Sequence, residues 1–129
     1  MLRRALAALE GKSFVTAGHK TNFEGYLQDL RRHRFVLCPQ GNGLDTHRTW
    51  ETLLMGAVPV MPHSTLDALY AGLPVVLVDD WDAINEALLQ AAWVQYVERL
   101  PGGVPLDLLM ADAWVARINT TAAALQPTP

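Results

Sequence analysis

Three short apolar runs separated by amphipathic helical stretches predict an α/β fold, a three-layer body around a mainly parallel sheet. The runs fall at 34–38, 57–61 and 74–78. The last, Pro74-Val-Val-Leu-Val78, is continuous, β-branched and bounded by proline and aspartates, the pattern of a strand buried on both faces. Strands joined through helices pair in parallel by right-handed crossovers. With 129 residues, half of them apolar, the chain has material for one domain over 1–129, with 1–12 and 125–129 peripheral.

In chain order, residues 2–10 suit a short helix, and Ser13 to Thr16 suits a strand followed by a loop over 17–21. Asn22 is placed to cap a helix over 23–33 that sets Phe23, Tyr26, Leu27 and Leu30 on one face. That helix leads into strand 34–38. Asp45 or Thr46 caps the next helix, which closes at Gly56 and groups Trp50, Leu53, Leu54 and Ala57 on one side. Strand 57–61 carries Pro59 near one end. Ser64 starts a brief helix with Asp67 in its first turn, and Gly72 ends it. After strand 74–78 and Asp79-Asp80-Trp81-Asp82, a helix over about 83–98 offers Ala87, Leu88, Ala91 and Ala92. Pro101-Gly-Gly-Val-Pro105 breaks the chain before a last helix over 106–124 carrying Leu109, Trp114 and Ile118.

Composition excludes several function classes. A formal charge of −3 and the lack of a basic stripe argue against a nucleic-acid surface, which needs clustered Lys and Arg. The basic Arg31-Arg32-His33-Arg34 sits at a helix end, where cations offset the dipole. A single cysteine permits no internal disulfide, and Cys38 reads as a small buried residue at a strand end. The apolar part of Met1 to Leu9 is too short for a secretory signal or a membrane span.

Parallel sheets gather ligands outside the C-terminal ends of their strands, which selects loops 39–46, 62–65 and 79–82, with 17–21 a weaker fourth. The first is the richest. Gly41 and Gly43 let main chain approach a ligand closely, and the helix that follows presents unpaired N–H groups and the positive end of its dipole. Arg48 in its first turn is opposed by that dipole, and a bidentate contact to a diphosphate gives a reason for it. Asp45 and Thr46 shape the loop.

The run Cys38-Pro39-Gln40-Gly41-Asn42-Gly43-Leu44-Asp45-Thr46-His47-Arg48-Thr49-Trp50-Glu51, followed by Gly56-Ala57-Val58-Pro59-Val60, resembles the donor-binding half of exostosin-like glycosyltransferases and of ribitol-xylosyltransferase-type proteins. The likeness extends loosely over 22–90, through Leu66-Asp67, Leu73-Pro74-Val75 and Asp79-Asp80-Trp81. It implies a Rossmann-like half of a GT-B enzyme binding a nucleoside-diphosphate sugar through Gly41, Asn42, Gly43, Asp45, Thr46, Arg48, Glu51 and His63. Glu51, eight residues before Pro59, is similar to the glutamate that accepts ribose hydroxyls in such enzymes. Their longer pattern has a further glutamate where Gly43 stands here. The resemblance further implies a glycan or glycoprotein acceptor, a facing N-terminal acceptor domain missing here and commonly, in Golgi members, a membrane anchor. No catalytic base is evident, so the chain alone is expected to turn over poorly.

Other residues compete weakly. His47 neighbours the loop, and His19 and Lys20 are within reach of a phosphate if the first strand forms. Asp80-x-Asp82 imitates a metal-diphosphate pair, but helix dipoles and basic residues replace a metal in the GT-B arrangement, so capping of helix 83–98 explains it better and no metal or cofactor is expected. A fucosyltransferase-like enzyme using GDP-fucose also has a Glu-bearing helix before a Gly-x-Val-Pro-Val turn, but its Asn-Ser and Tyr-x-Thr-Glu-Lys runs are absent. A non-catalytic nucleotide-binding or partner-binding domain is the remaining alternative.

Overall fold

The computed structural model describes residues 1–100 and 109–124. Three strands, β1 (Phe35–Leu37), β2 (Val58–Pro62) and β3 (Val76–Val78), form a parallel sheet in the order β1-β2-β3. In register, Phe35 lies opposite Val58 and Leu37 opposite Val60, while Val60 lies opposite Val76 and Pro62 opposite Val78. The Val-rich run is therefore an outer strand, and β2 takes the middle. Its layers still cover β3: Val76 and Val78 are buried, and the Tyr96 hydroxyl donates to the Val75 carbonyl.

A central strand with two prolines needs explanation, because each lacks a ladder donor. Alternate residues of β2 face alternate neighbours. Val58 N–H reaches the Arg34 carbonyl on the β1 side, so Pro59 faces β3, one residue before that pairing begins at Val60. Pro62 faces β1, whose pairing has already ended at Leu37 opposite Val60. Both rings sit where no ladder bond is missing.

The same alternation sorts side chains into two cores. On one side Val58, Val60, Val76 and Val78 pack with Trp81 and Ile84, with α4 (Glu86–Arg99), and with Ala5 and Leu9 of α1 (Leu2–Leu9). The opening helix, expected at the periphery, thus contributes two residues that are 1 % exposed to the core. On the other side Cys38, Met61 and Val75 meet Leu53 of α3 (His47–Leu54) and Tyr70 of a 3-10 turn over Asp67–Tyr70. Layers on both sides of a parallel sheet are consistent with a Rossmann-like fold.

Several expectations need correction. Ser13 to Thr16 forms no strand: Val15 N–H turns back to the Lys12 carbonyl, and Phe14 and Val15 serve the core through their side chains instead. In α2 (Phe23–Arg32), Asn22 caps as expected by accepting from Gly25 N–H, but Phe23 is exposed and Leu30 is the residue buried. In α3 the buried face is Thr49, Thr52 and Leu53, and Leu54 points out. α4 begins at Glu86 under an Asn85 cap and packs Leu88, Leu89, Ala92, Trp93 and Tyr96 rather than Ala87 and Ala91. Trp81, in the turn after β3, is 2 % exposed. α5 spans Ala111–Ala124. The break at 101–105, the start of the last helix at 106–108, the tail 125–129 and the side chains of Trp114 and Ile118 lie outside the described residues.

Candidate functional site

Because all three strands run the same way, the segments after Leu37, Pro62 and Val78 emerge at one edge of the sheet. This edge collects loop 39–46 with the first turn of α3, then His63, then Asp79 and Asp80. The fourth candidate loop follows no strand: His19 and Lys20 lie in irregular chain ahead of α2.

Loop 39–46 is held by its aspartate. Trp50 Nε1 donates to both Asp45 oxygens at 3.0 Å, and the Tyr70 hydroxyl donates to Asp45 Oδ1 at 2.8 Å. Burial first, and then this carboxylate, push the Tyr70 hydroxyl well above the usual phenol range. Asp45 is thus a clasp between loop, α3 and the 3-10 turn, where a helix cap was expected. Thr46 takes the N-cap position, but its side chain makes no capping bond; its hydroxyl lies 3.5 Å from that of Thr49. The first turn holds no acidic side chain, so its unpaired N–H groups keep their attraction for an anion.

Gly41, Asn42 and Gly43 are exposed at the tip. Neither glycine has a positive φ, unlike Gly11, Gly56 and Gly72. A Cβ on Gly41 would meet nothing within 4 Å, and on Gly43 only the Asp45 carbonyl at an ordinary 3.6 Å. The folded chain alone requires neither glycine. By contrast Gly56, with φ +80°, is needed to end α3.

Arg48 and Glu51 meet on Tyr26 of α2. The Tyr26 hydroxyl donates to Glu51 Oε2 at 2.8 Å, and the Arg48 guanidinium lies 5.8 Å from the tyrosine ring centre. Burial, followed by the Glu51 hydrogen bond, pushes Tyr26 up to about 12. Glu51 therefore pairs with neither His47 nor Arg48, and His47 is exposed at the first helical position. Cys38 beneath them is fully buried, 3.7 Å from the Thr52 hydroxyl; desolvation pushes its thiol up to about 11, which suits packing and not nucleophilic chemistry.

At the end of β2, His63 Nδ1 is 2.6 Å from Asp67 Oδ2, while Asp67 Oδ1 accepts from Ser64 N–H at 2.8 Å. His63 Nε2 lies 4.0 Å from Asp79 Oδ1. The Asp67 hydrogen bond holds the imidazole above its ordinary value, and the reciprocal bond holds Asp67 below its own. Asp80 is spent elsewhere: it accepts from Trp81 N–H at 2.8 Å and pairs with Arg4 at 3.1 Å, capping a 3-10 turn over Trp81–Ala83 rather than α4. Among the described residues, no three His, Cys, Asp or Glu side chains are placed to hold a metal ion, and no helix is long and apolar enough to cross a membrane.

Two surface grooves, of about 270 and 620 Å³, are lined by Arg4, Ala7, Ala8, Asp80 and Asp82, and by residues around Arg34, Phe35 and Trp93. Loop 39–46 lines neither. Of the residues predicted from sequence, Asp45, Thr46, Arg48, Glu51 and His63 fall at or beside one edge, with Gly41, Asn42 and Gly43 at its tip. The sequence places Tyr26 on the packing face of its helix and does not single out Tyr70, so both partners are missed there; their aromatic rings with a polar end are the signal that could have found them. No protein-family model matches the chain, and no curated protein matches it.

Proposed function

We propose that this chain is the donor-binding half of a glycosyltransferase, holding a nucleoside-diphosphate sugar for transfer to an acceptor hydroxyl on a glycan or glycoprotein. The observation that carries the reading is the pair of glycines at the tip of loop 39–46. Neither backbone strain nor crowding within the chain accounts for them, and close main-chain approach of a ligand does. The anion such a loop suits is a diphosphate, held by the α3 N–H groups and by Arg48. Tyr26 occupies one Glu51 oxygen, and the other remains an acceptor for ribose hydroxyls.

Stabilising the departing diphosphate is the chemistry this edge supplies. Calorimetric titration with UDP and GDP tests it. Arg48→Ala should weaken binding by about 10- to 150-fold, the equivalent of roughly 1.5–3 kcal/mol for a charged hydrogen bond. Gly41→Ala and Gly43→Ala should weaken it too while leaving the melting temperature nearly unchanged. Unaltered affinity in all three folded variants would sink the assignment.

The Tyr26–Glu51 bond favours a second reading, a non-catalytic nucleotide- or partner-binding domain in which Glu51 serves the α2–α3 contact. Glu51→Gln separates the two. Weaker nucleotide binding supports the ribose role, whereas a loss of stability alone supports the second.

A further inference from the structure

We propose that His63 is the proton acceptor of this transfer and that Asp67 is the residue that positions it, an inference resting on the donor-binding reading above. Sequence reasoning found no base, because the pair becomes visible only when the 3-10 turn folds Asp67 back onto the end of β2. With Asp67 Oδ2 at 2.6 Å, Nδ1 carries the hydrogen and the neutral ring presents its lone pair at Nε2. Ser64 N–H holds the other Asp67 oxygen, so the carboxylate is fixed at both ends. Half of the His63 side chain, 51 %, is exposed, which leaves Nε2 open to a hydroxyl.

The turn that carries Asp67 also carries Tyr70, whose hydroxyl holds Asp45 of the glycine loop. One four-residue element therefore sets both the histidine and the diphosphate loop. Charge divides the loops of the edge in the sense the reaction needs: Arg48 and the α3 N-terminus belong to the segment after β1, Asp67 and Asp79 to the segments after β2 and β3. The leaving diphosphate suits the first end. The sugar carbon, which gains positive character, and the hydroxyl, which loses its proton, suit the second.

In the step, the hydroxyl oxygen forms a bond to the anomeric carbon as the bond from that carbon to the diphosphate oxygen breaks. The electron pair leaves with the diphosphate. The hydroxyl proton passes to His63 Nε2, giving an imidazolium paired with Asp67. The charged groups that face His63 are Asp67 from the 3-10 turn and Asp79 from the segment after β3. Both raise its proton affinity, so the neutral ring, and the rate with it, should appear through a limb above pH 6.5.

The test uses the full chain with UDP-glucose, UDP-xylose, UDP-N-acetylglucosamine and GDP-fucose, water serving as acceptor, and reads released UDP or GDP across pH 5–9 beside calorimetric binding of UDP and GDP. His63→Gln should lower release at saturating sugar nucleotide by about 100-fold or more. Asp67→Asn should move the acidic limb to lower pH, in step with the His63 ring signals by NMR. The inference is overturned if His63→Gln keeps its rate within threefold, if the Asp67→Asn limb does not move, or if the wild-type chain binds nucleotide yet releases none. Failure to bind either nucleotide overturns the donor-binding reading itself, and the inference with it.

Discussion

The two sides of the sheet are built from different materials. The side under α1 and α4 is apolar: Leu9, Val58, Val60, Val78, Trp81 and Ile84 fill it, and Trp81 Nε1 is its buried polar atom without a partner among the described residues. The side under α3 buries the Thr49 and Thr52 hydroxyls, the Cys38 thiol and the Tyr70 ring, and its polar atoms continue outward to Asp45 and, through Tyr26, to Glu51. Burial on the first side holds the chain together without direction, whereas hydrogen bonds on the second fix where particular groups stand. Stability and site geometry are thus separable by substitution.

The largest expected effect lies on the apolar side. Trp81→Ala should cost about 3–5 kcal/mol in denaturant unfolding, because a large buried ring leaves a cavity. Trp81→Phe should cost less, since it also removes the unpaired indole N–H. Nucleotide affinity of the folded Phe variant should be unchanged, and a loss there would break the division between the two sides.

Next is the buried thiol. With Cys38 held at about 11 against an ordinary 9.0, its thiolate fraction at pH 8 falls on the order of 100-fold, and burial blocks access as well. Reaction with a disulfide reagent should therefore follow global unfolding. The sign for stability is equally definite: the folded state retains the proton between pH 9 and 11, so stability falls as pH rises through that interval. Rapid modification in native buffer would show the α3 side to be open.

Tyr70→Phe removes one bond of the Asp45 clasp. It should lower stability by about 1 kcal/mol, below the usual range for a bond to a charged group because Asp45 is exposed and keeps Trp50. Faster hydrogen exchange should appear at loop 39–46 and not in α1. Exchange rising equally on both sides would show that the clasp supports the whole fold.

The smallest effect belongs to His63 and Asp67. The raised histidine contributes stability fully present below pH 6.5 and lost as pH rises through its folded value. The lowered aspartate contributes stability present above pH 3.8 and lost as pH falls through its own. Their joint contribution peaks between these limits, and unfolding midpoints of the wild type and Asp67→Asn should differ more at pH 5.5 than at pH 8.5. Both groups are open to solvent, so the difference should be slight.

What was legible in the sequence follows the range of the forces involved. All three sheet strands announced themselves, because continuous apolar runs are local. Their order did not, because the choice of β2 for the middle depends on pairing partners far apart in sequence. Ser13-Phe-Val-Thr16 has strand propensity but no neighbour to pair with, and the wheel of α3 misled because small threonines can be buried beside a thiol where leucines were expected. At the candidate site, Gly41 and Gly43 stood out through their place in the loop, Arg48 through its place in the first helical turn, and Glu51 through the family resemblance. Their partners did not, since Tyr26 is 25 residues from Glu51 and Tyr70 is 25 from Asp45.

The two prolines of β2 also protect the chain before it is folded. Ala57 to Met61 is apolar and rich in valine, the composition that stacks into cross-β fibrils when a nascent or partly unfolded chain exposes it. Stacking requires every N–H to bond a neighbouring copy above or below. Pro59 and Pro62 each withhold one, on opposite edges of the strand, so neither edge can template an unbroken ladder. In the native sheet the same positions cost nothing, because pairing with β3 has not begun at one and pairing with β1 has ended at the other. A segment that would otherwise invite self-assembly is thereby reserved for its own two neighbours.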